Sequence, residues 1–529
     1  MKRLRFSYYQ VFGLLLFILA VVVRFYDLPN RVIFTEDHAL FNIFAYRNII
    51  YHERLQVGPS IGGVWATFPP TFYYLTTFLI KISGFNYYVL HVLTAVANLG
   101  ALLLILTAFP SVFGKRVALV TAFLYSFSFF VVSQSIVGTN PGVLPPLTVI
   151  LIVTTIWVLR DKKYWALPIL ALDISLMTHF HVTPFFLIPA LLLIFVVNSP
   201  SLIKHWKTAL IFGVMAAIIV IYVGVRPHYL QDKAFGGQNL ARVKQAVLHG
   251  TGGPKISKLD SSINFLSGLI RINSDLFFPD SSGYQENTPT NVPMTGLGLL
   301  ITSAVIVYAI VSILKNLRLN TAPSILGVLF LSDLLFMTII PSYLYLEKPV
   351  RWLDALYFPL FFMVFSNLIV SAVENFLKGR RFNKSILAGS VFILCLTFLI
   401  TNGNKWITDG AAEGRLKLKT IIKKVDSVAK AAVEEKNINL VHLGNVNLNP
   451  TWPFAFALWK ETGDNKYLRT LLWNIDPQRN EPFYIFSDVG DDTLVNSEKA
   501  AKGFQDSPQI LKIDMGGGFL VEKVFSDSL

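Results

Sequence analysis

Eleven uncharged or nearly uncharged apolar runs punctuate the chain, at 8–25, 86–109, 117–137, 143–159, 164–182, 184–198, 208–225, 295–314, 321–341, 353–373 and 385–402. A helix needs about 20 such residues to cross the roughly 30 Å of hydrocarbon in a bilayer, so each run is of the right order for one crossing. Runs of this kind cannot be hidden inside a water-soluble core. Hydrophobic residues make up 53% of the 529 and charged ones only 15%, which leaves the bilayer as the solvent. The expected fold class is therefore a polytopic α-helical membrane protein of about eleven transmembrane helices.

The formal charge of +14 does not signal nucleic acid, because lysines and arginines fall in short clusters between the apolar runs and not on one continuous basic face. They read as topology signals. With the N-terminus in the cytoplasm, one set of loops collects Lys2, Arg3, Arg5, Lys115, Arg116, Arg160, Lys162, Lys163, Lys204, Lys207, Lys315, Arg318, Lys378, Arg380, Arg381 and Lys384, as the positive-inside rule requires. That agreement holds only if 70–83, short and amphipathic, lies at the interface as a helix. Three segments then face outward: 26–85, 226–294 and 403–529. The last alternates charged and apolar stretches such as INLVHLG and PFYIFSD, and a small soluble α/β domain is expected there. The Gly, Ser and Asn content of 226–294 predicts a loop with little regular structure beyond a helix at 238–249. Cys395, the single cysteine, lies inside an apolar run, so neither a disulfide framework nor a cysteine metal site is available. The basic and then apolar N-terminus lacks a small-residue cleavage site and reads as a retained anchor.

Chemistry concentrates in the first outer loop. After the first run comes FTEDHALFNIFAYRNIIYHERLQVGPSIGGVWATFPPTFYYL, which sets Glu36 and Asp37 at the membrane surface. The apolar spacing of ALFNIFAYRNII predicts a helix with Thr35 or Glu36 at its N-cap, and Pro69-Pro70 then launches the amphipathic segment. A carboxylate in that place suits removal of a proton from a hydroxyl while a phosphate leaves the anomeric carbon of a sugar. It equally suits capping, since acidic residues favour helix starts.

The order of apolar first helix, acidic pair, interfacial helix and aromatic-proline motif resembles the polytopic GT-C glycosyltransferases, a group that includes protein O-mannosyltransferases and the aminoarabinose transferases of lipid A. The likeness covers roughly 8–200. It implies a transmembrane transferase domain over 1–402, with 403–529 as the extracytoplasmic α/β domain. It also implies Asp37 as the general base, with Glu36 as the fallback, and it aligns Pro69-Pro70-Thr71-Phe72-Tyr73-Tyr74-Leu75 with the motif opening the second interfacial helix. His181 matches the histidine of a Gln-x-His element at the outer end of the fifth span. Two departures stand out. Many relatives carry a second acidic residue in the loop after the third helix, where this chain has Asn140, and a Lys or His before the proline pair, where it has Thr67-Phe68.

A departing lipid phosphate calls for outward donors or cations. The candidates are His179 and His181, flanking Phe180, and Lys348 and Arg351, which defy the positive-inside pattern. Arg351 alternatively pairs with Glu347 or Asp354 on its own helix. Asn140, Arg47, Tyr73 and Tyr74 are the candidate substrate contacts. Ligand spacing gives no support to a divalent cation, and neither a cofactor nor a metal site is expected. The expected function is inverting transfer of a sugar, hexose or pentose, from a polyprenyl-phosphate donor to a hydroxyl of a glycan, lipid or protein acceptor. It is placed on the outer face of a multi-pass plasma or inner membrane protein, with no nucleic acid partner. Asp173 and Asp333 lie within predicted spans and support a competing reading, a flippase or transporter of lipid-linked glycans. A hydrogen-bonded tie between helices explains them as well. A third alternative is a noncatalytic membrane assembly subunit.

Overall fold

Each of the eleven runs forms a helix: Tyr8–Phe25, Val89–Thr107, Lys115–Phe127 continued by Phe129–Ser135, Pro145–Leu159, Leu167–Phe180, Ile188–Val197, Trp206–Ile219, Val292–Lys315, Ala322–Leu344, Tyr357–Gly379 and Lys384–Gly410. The computed structural model describes residues 7–32, 36–61, 66–234, 236–249, 258–277, 279, 292–344, 356–379 and 384–410. Beyond 410 it describes the strands 439–442, 483–488, 509–516 and 519–524, with residues 419, 422, 423 and 457. Among the described residues six helices are long and apolar enough to cross a membrane, a bent pair brings the number to as many as seven, and three shorter apolar helices accompany them. The chain divides into two compact units, one of 1–26, 55–75 and 90–409 and the other of 27–54, 76–89 and 410–529.

The bend in the first unit has a clear physical cost and a clear remedy. At Ser128 the helix Lys115–Phe127 stops and Phe129–Ser135 departs at 67°. A break of this kind frees backbone groups, and hydrocarbon offers them no partner. Other helices supply the partners. The guanidinium of Arg24, fully buried at the end of the first helix, donates to the carbonyls of Tyr125 at 3.2 Å and Ser126 at 3.4 Å. Asn402 accepts from the Phe129 N–H at 2.6 Å, and Ser128 Oγ donates to the Leu276 carbonyl at 3.0 Å. Nearby, Asn98 donates to the carbonyls of Thr94 and Gly142 at 3.0 and 3.1 Å and accepts from the Tyr125 hydroxyl at 2.5 Å. Every arm of that buried amide is used.

Tight backbone contact holds the later helices of this unit. A Cβ placed on Gly298, in Val292–Lys315, would stand 2.1 Å from the Ile270 carbonyl of helix Lys258–Asp275. Backbone cannot yield as a side chain does. Gly298→Ala is therefore expected to destabilise by about 1–3 kcal/mol, as overpacked cores do, and to lower the thermal inactivation midpoint in detergent. Ala at Gly296, which has open space around it, should leave the midpoint unmoved.

The segment 226–294 departs from expectation. In place of one helix its described residues hold three, at Arg226–Ala234, Gln238–His249 and Lys258–Asp275, of which Gln238–His249 coincides with the predicted one. Their polar, mixed sequences lack the long apolar run that marks the spans, so composition alone hides them.

The second unit contains the helix Glu36–Tyr51, the end of the interfacial helix Thr71–Ile82, and a four-stranded sheet. With β1 (Ser60–Ile61) and β2 (Ala66–Thr67) forming a hairpin in the first unit, the sheet strands are β3 (Asn439–His442), β4 (Phe483–Asp488), β5 (Gln509–Gly516) and β6 (Phe519–Val524). Their order is β3-β4-β6-β5, with β3 parallel to β4 and the other pairs antiparallel.

Candidate active site

The aromatic-proline motif is held in place before its helix begins. The β1–β2 hairpin carries the chain to Thr67, and the N–H of Gly58 donates to the Phe68 carbonyl at 2.7 Å. Only glycine fits at 58, since a Cβ there would lie 2.1 Å from the Pro69 carbonyl. Asn239, from helix Gln238–His249, grips Thr67 twice: its Oδ1 accepts from the Thr67 N–H at 2.8 Å and its Nδ2 donates to the Thr67 carbonyl at 3.0 Å. Gln231, from helix Arg226–Ala234, donates through Nε2 to Thr67 Oγ1 and the Phe68 carbonyl, both at 2.5 Å. Pro69 and Pro70 then end this extended segment, and Thr71–Ile82 starts. Within that helix Tyr73 is buried, while Tyr74 is partly exposed and donates to the Leu55 carbonyl at 3.2 Å.

Both histidines of the Thr178-His179-Phe180-His181 element meet this motif. His179 Nδ1 is 2.8 Å from Thr71 Oγ1, and the His181 ring packs on Phe68 at 6.4 Å between centroids. Phe72 and Phe180 meet edge to face at 6.2 Å. His181 Nδ1 sits 3.0 Å from Thr183 Oγ1. Asn140 is buried and donates to the Phe180 carbonyl, so it braces the end of the histidine helix.

A proline sets the far wall. Pro227 has no N–H for the carbonyl four residues before it, and its ring crowds that carbonyl, so the chain widens into a π-helical turn over Val220–Val225. Gly224 lets this turn approach closely, since a Cβ there would be 2.9 Å from Ser175 Oγ. His179 Nε2 faces the Val223 and Gly224 carbonyls without reaching hydrogen-bond geometry. Past the turn, the His228 ring stands 5.3 Å from that of His179, edge to face. His228 Nε2 and Gln231 Oε1 are both buried and have no hydrogen-bond partner among the described residues.

In the second unit Asp37 occupies the first turn of helix Glu36–Tyr51, half-buried. Glu36 begins that helix; its side chain, like Thr35, lies outside the described residues. Arg47 forms an ion pair with Glu53 and lies over the Phe44 ring at 5.6 Å. Lys348, Arg351, Glu347 and Asp354 lie outside the described residues. Asp173 and Asp333 are buried, and neither carboxylate has a hydrogen-bond partner among the described residues, so no hydrogen-bonded tie between helices is seen there. Among the described residues no three of His, Cys, Asp and Glu are grouped to hold a metal ion. The structure adds Thr71, His228, Gln231 and Asn239 to the site, three of them from a segment whose sequence reads as loop. Thr71 belongs to the aligned proline motif and Asn239 to the helix expected at 238–249, while the only local signal for His228 and Gln231 is the polar RPHYLQ run closing the seventh span.

Residues 67–226 match the family described as dolichyl-phosphate-mannose-protein mannosyltransferase. Among solved structures, ArnT from Cupriavidus metallidurans bound to undecaprenyl phosphate is similar with a TM-score of 0.59 at 10% identity, over 96% of this chain and 97% of that one. The apo form of the same protein gives 0.55 at 11% identity over 98% of both chains. The Archaeoglobus fulgidus oligosaccharyltransferase, in complex with zinc and sulfate, gives 0.51 at 14% identity over 93% of this chain and 69% of that one. No curated protein matches the sequence.

Proposed function

Because the chain has the GT-C fold of membrane glycosyltransferases, we propose that it is an inverting glycosyltransferase that moves a sugar from a polyprenyl-phosphate donor to an acceptor hydroxyl on the extracytoplasmic face. The observation that carries this reading is the end-to-end likeness to ArnT, whose crystal structure holds undecaprenyl phosphate. The match of residues 67–226 to the mannosyltransferase family supports it independently.

In this mechanism Asp37 is the general base. Its carboxylate takes the proton of the acceptor hydroxyl as that oxygen attacks the anomeric carbon from the face opposite the phosphate, and the carbon inverts as the carrier phosphate leaves. Glu36 is the alternative base. Donors around the proline motif, His179 and His181 among them, and the cations Lys348 and Arg351 stabilise the departing phosphate. Asn140, Arg47, Tyr73 and Tyr74 are the proposed substrate contacts, and 403–529 is the proposed outer domain that meets the acceptor.

A second reading, a proton-linked transporter of lipid-linked glycans, draws on the carboxylates of Asp173 and Asp333, which have no hydrogen-bond partner among the described residues. One experiment separates the two. Purified protein in lipid nanodiscs is incubated with a panel of radiolabelled undecaprenyl-phosphate hexoses and pentoses, and released or transferred sugar is counted. The transferase liberates free carrier phosphate from at least one donor. Intact donor in every assay, together with carrier movement across proteoliposomes that fails in Asp173→Asn or Asp333→Asn, would establish the transporter.

A further inference from the structure

The buried groups left unpaired beside the proline motif have a donor and acceptor pattern that selects among ligands. Gln231 is 3% exposed, and its Nε2 is fully committed to Thr67 and Phe68, so only the acceptor Oε1 remains. One turn away on the same face of helix Arg226–Ala234 is His228, whose Nε2 also lacks a partner. A neutral imidazole nitrogen is a donor or an acceptor according to tautomer. Thr71 Oγ1 and His179 Nδ1 are already paired, which joins the cluster to the first residue of the interfacial helix. Arg226, the cation at the start of the same helix, stacks on Tyr222 at 5.7 Å.

A phosphate oxygen can only accept, and Gln231 Oε1 would repel it. A hydroxyl both donates and accepts, so it can give its proton to Gln231 Oε1 and receive one from His228 Nε2. The His228 ring is half-buried, packed against His179 on one side and Phe185 on another.

We propose that His228 and Gln231, with Thr71 and His179 holding them against the proline motif, form a subsite that recognises a hydroxyl of the substrate's sugar. The proposal rests on the transferase reading above. His228 is a contact residue in this account, while His179 and Thr71 are positioning residues.

The test measures binding in nanodiscs of undecaprenyl phosphate, of its glucose, mannose and arabinose conjugates, and of the monodeoxy analogues of whichever conjugate binds tightest. Wild-type protein should bind that conjugate more tightly than the bare carrier and lose about tenfold on one deoxy analogue, the worth of one hydrogen bond of about 1.4 kcal/mol. His228→Phe, which keeps an aromatic edge against His179, should lose about tenfold on the parent conjugate and nothing on that analogue or on the bare carrier. His228→Asn serves where the phenylalanine variant does not purify as folded protein. Equal losses on parent and analogue, weakened binding of the bare carrier, or no wild-type preference for any sugar overturns the subsite while leaving carrier recognition intact. Wild-type protein that binds no carrier at all overturns the transferase reading, and the subsite falls with it.

Discussion

Asp37→Asn is expected to lower the turnover number for sugar transfer by about 10²–10⁴-fold, the usual contribution of a positioned general base, with little change in donor affinity. The substitution is chosen for what it leaves intact. Asp37 sits in the first turn of helix Glu36–Tyr51, where carboxylates also stabilise the helix dipole, so a lost base could be mistaken for a frayed helix. Asparagine is nearly isosteric with aspartate and gives up only the charge–dipole contribution of about 0.3–1 kcal/mol, too small to account for such a loss. Glu36→Gln controls for the neighbouring carboxylate and should retain most activity. Counting radiolabelled sugar transferred by each variant decides the matter. Unchanged turnover in the Glu36→Gln, Asp37→Asn double variant would remove both residues from the mechanism.

The second large effect is structural and falls at Arg24. Replacing it with leucine keeps the first helix apolar and improves its hydropathy, so insertion arguments alone predict a neutral or favourable change. The geometry predicts the reverse. The carbonyls of Tyr125 and Ser126 lose their donor at a bend buried in the unit, and each orphaned buried group costs about 1–3 kcal/mol. Destabilisation on the order of 2–5 kcal/mol is therefore expected, read as a lower thermal inactivation midpoint and a smaller folded yield. Arg24→Lys should recover part of the loss, because a single ammonium cannot present the guanidinium's fork to two carbonyls at once. Leucine at 24 with an unshifted midpoint would show that the bend satisfies itself.

The sequence was most legible where one physical demand dominated. Crossing hydrocarbon forces long apolar runs, and all eleven appear as helices, with the interfacial helix Thr71–Ile82 close to its expected 70–83. The amphipathic spacing of ALFNIFAYRNII likewise yields Glu36–Tyr51. Helices Arg226–Ala234 and Lys258–Asp275 escaped notice because their mixed faces resemble turn composition over short windows. The site was legible in part. The proline motif and His179 are each singled out by sequence, but their meeting at Thr71 is not, and Gln231 and Asn239 reach Thr67 across separations of 164 and 172 residues, a clasp that no local pattern encodes. The π-helical turn illustrates the same limit. Pro227 announces a disturbance, but only the packed partners, Ser175 and His179, determine its form.

The bend at Ser128 also bears on how the protein is made. Arg24 is synthesised ahead of the carbonyls it serves, which emerge about a hundred residues later. Until then the guanidinium lacks those two acceptors, and afterwards the kinked segment cannot settle in lipid alone. The N-terminal helix is thus an assembly partner that has to wait beside the insertion machinery for its client. Exchanging it for a generic signal anchor would preserve membrane targeting and still leave the bundle unable to close.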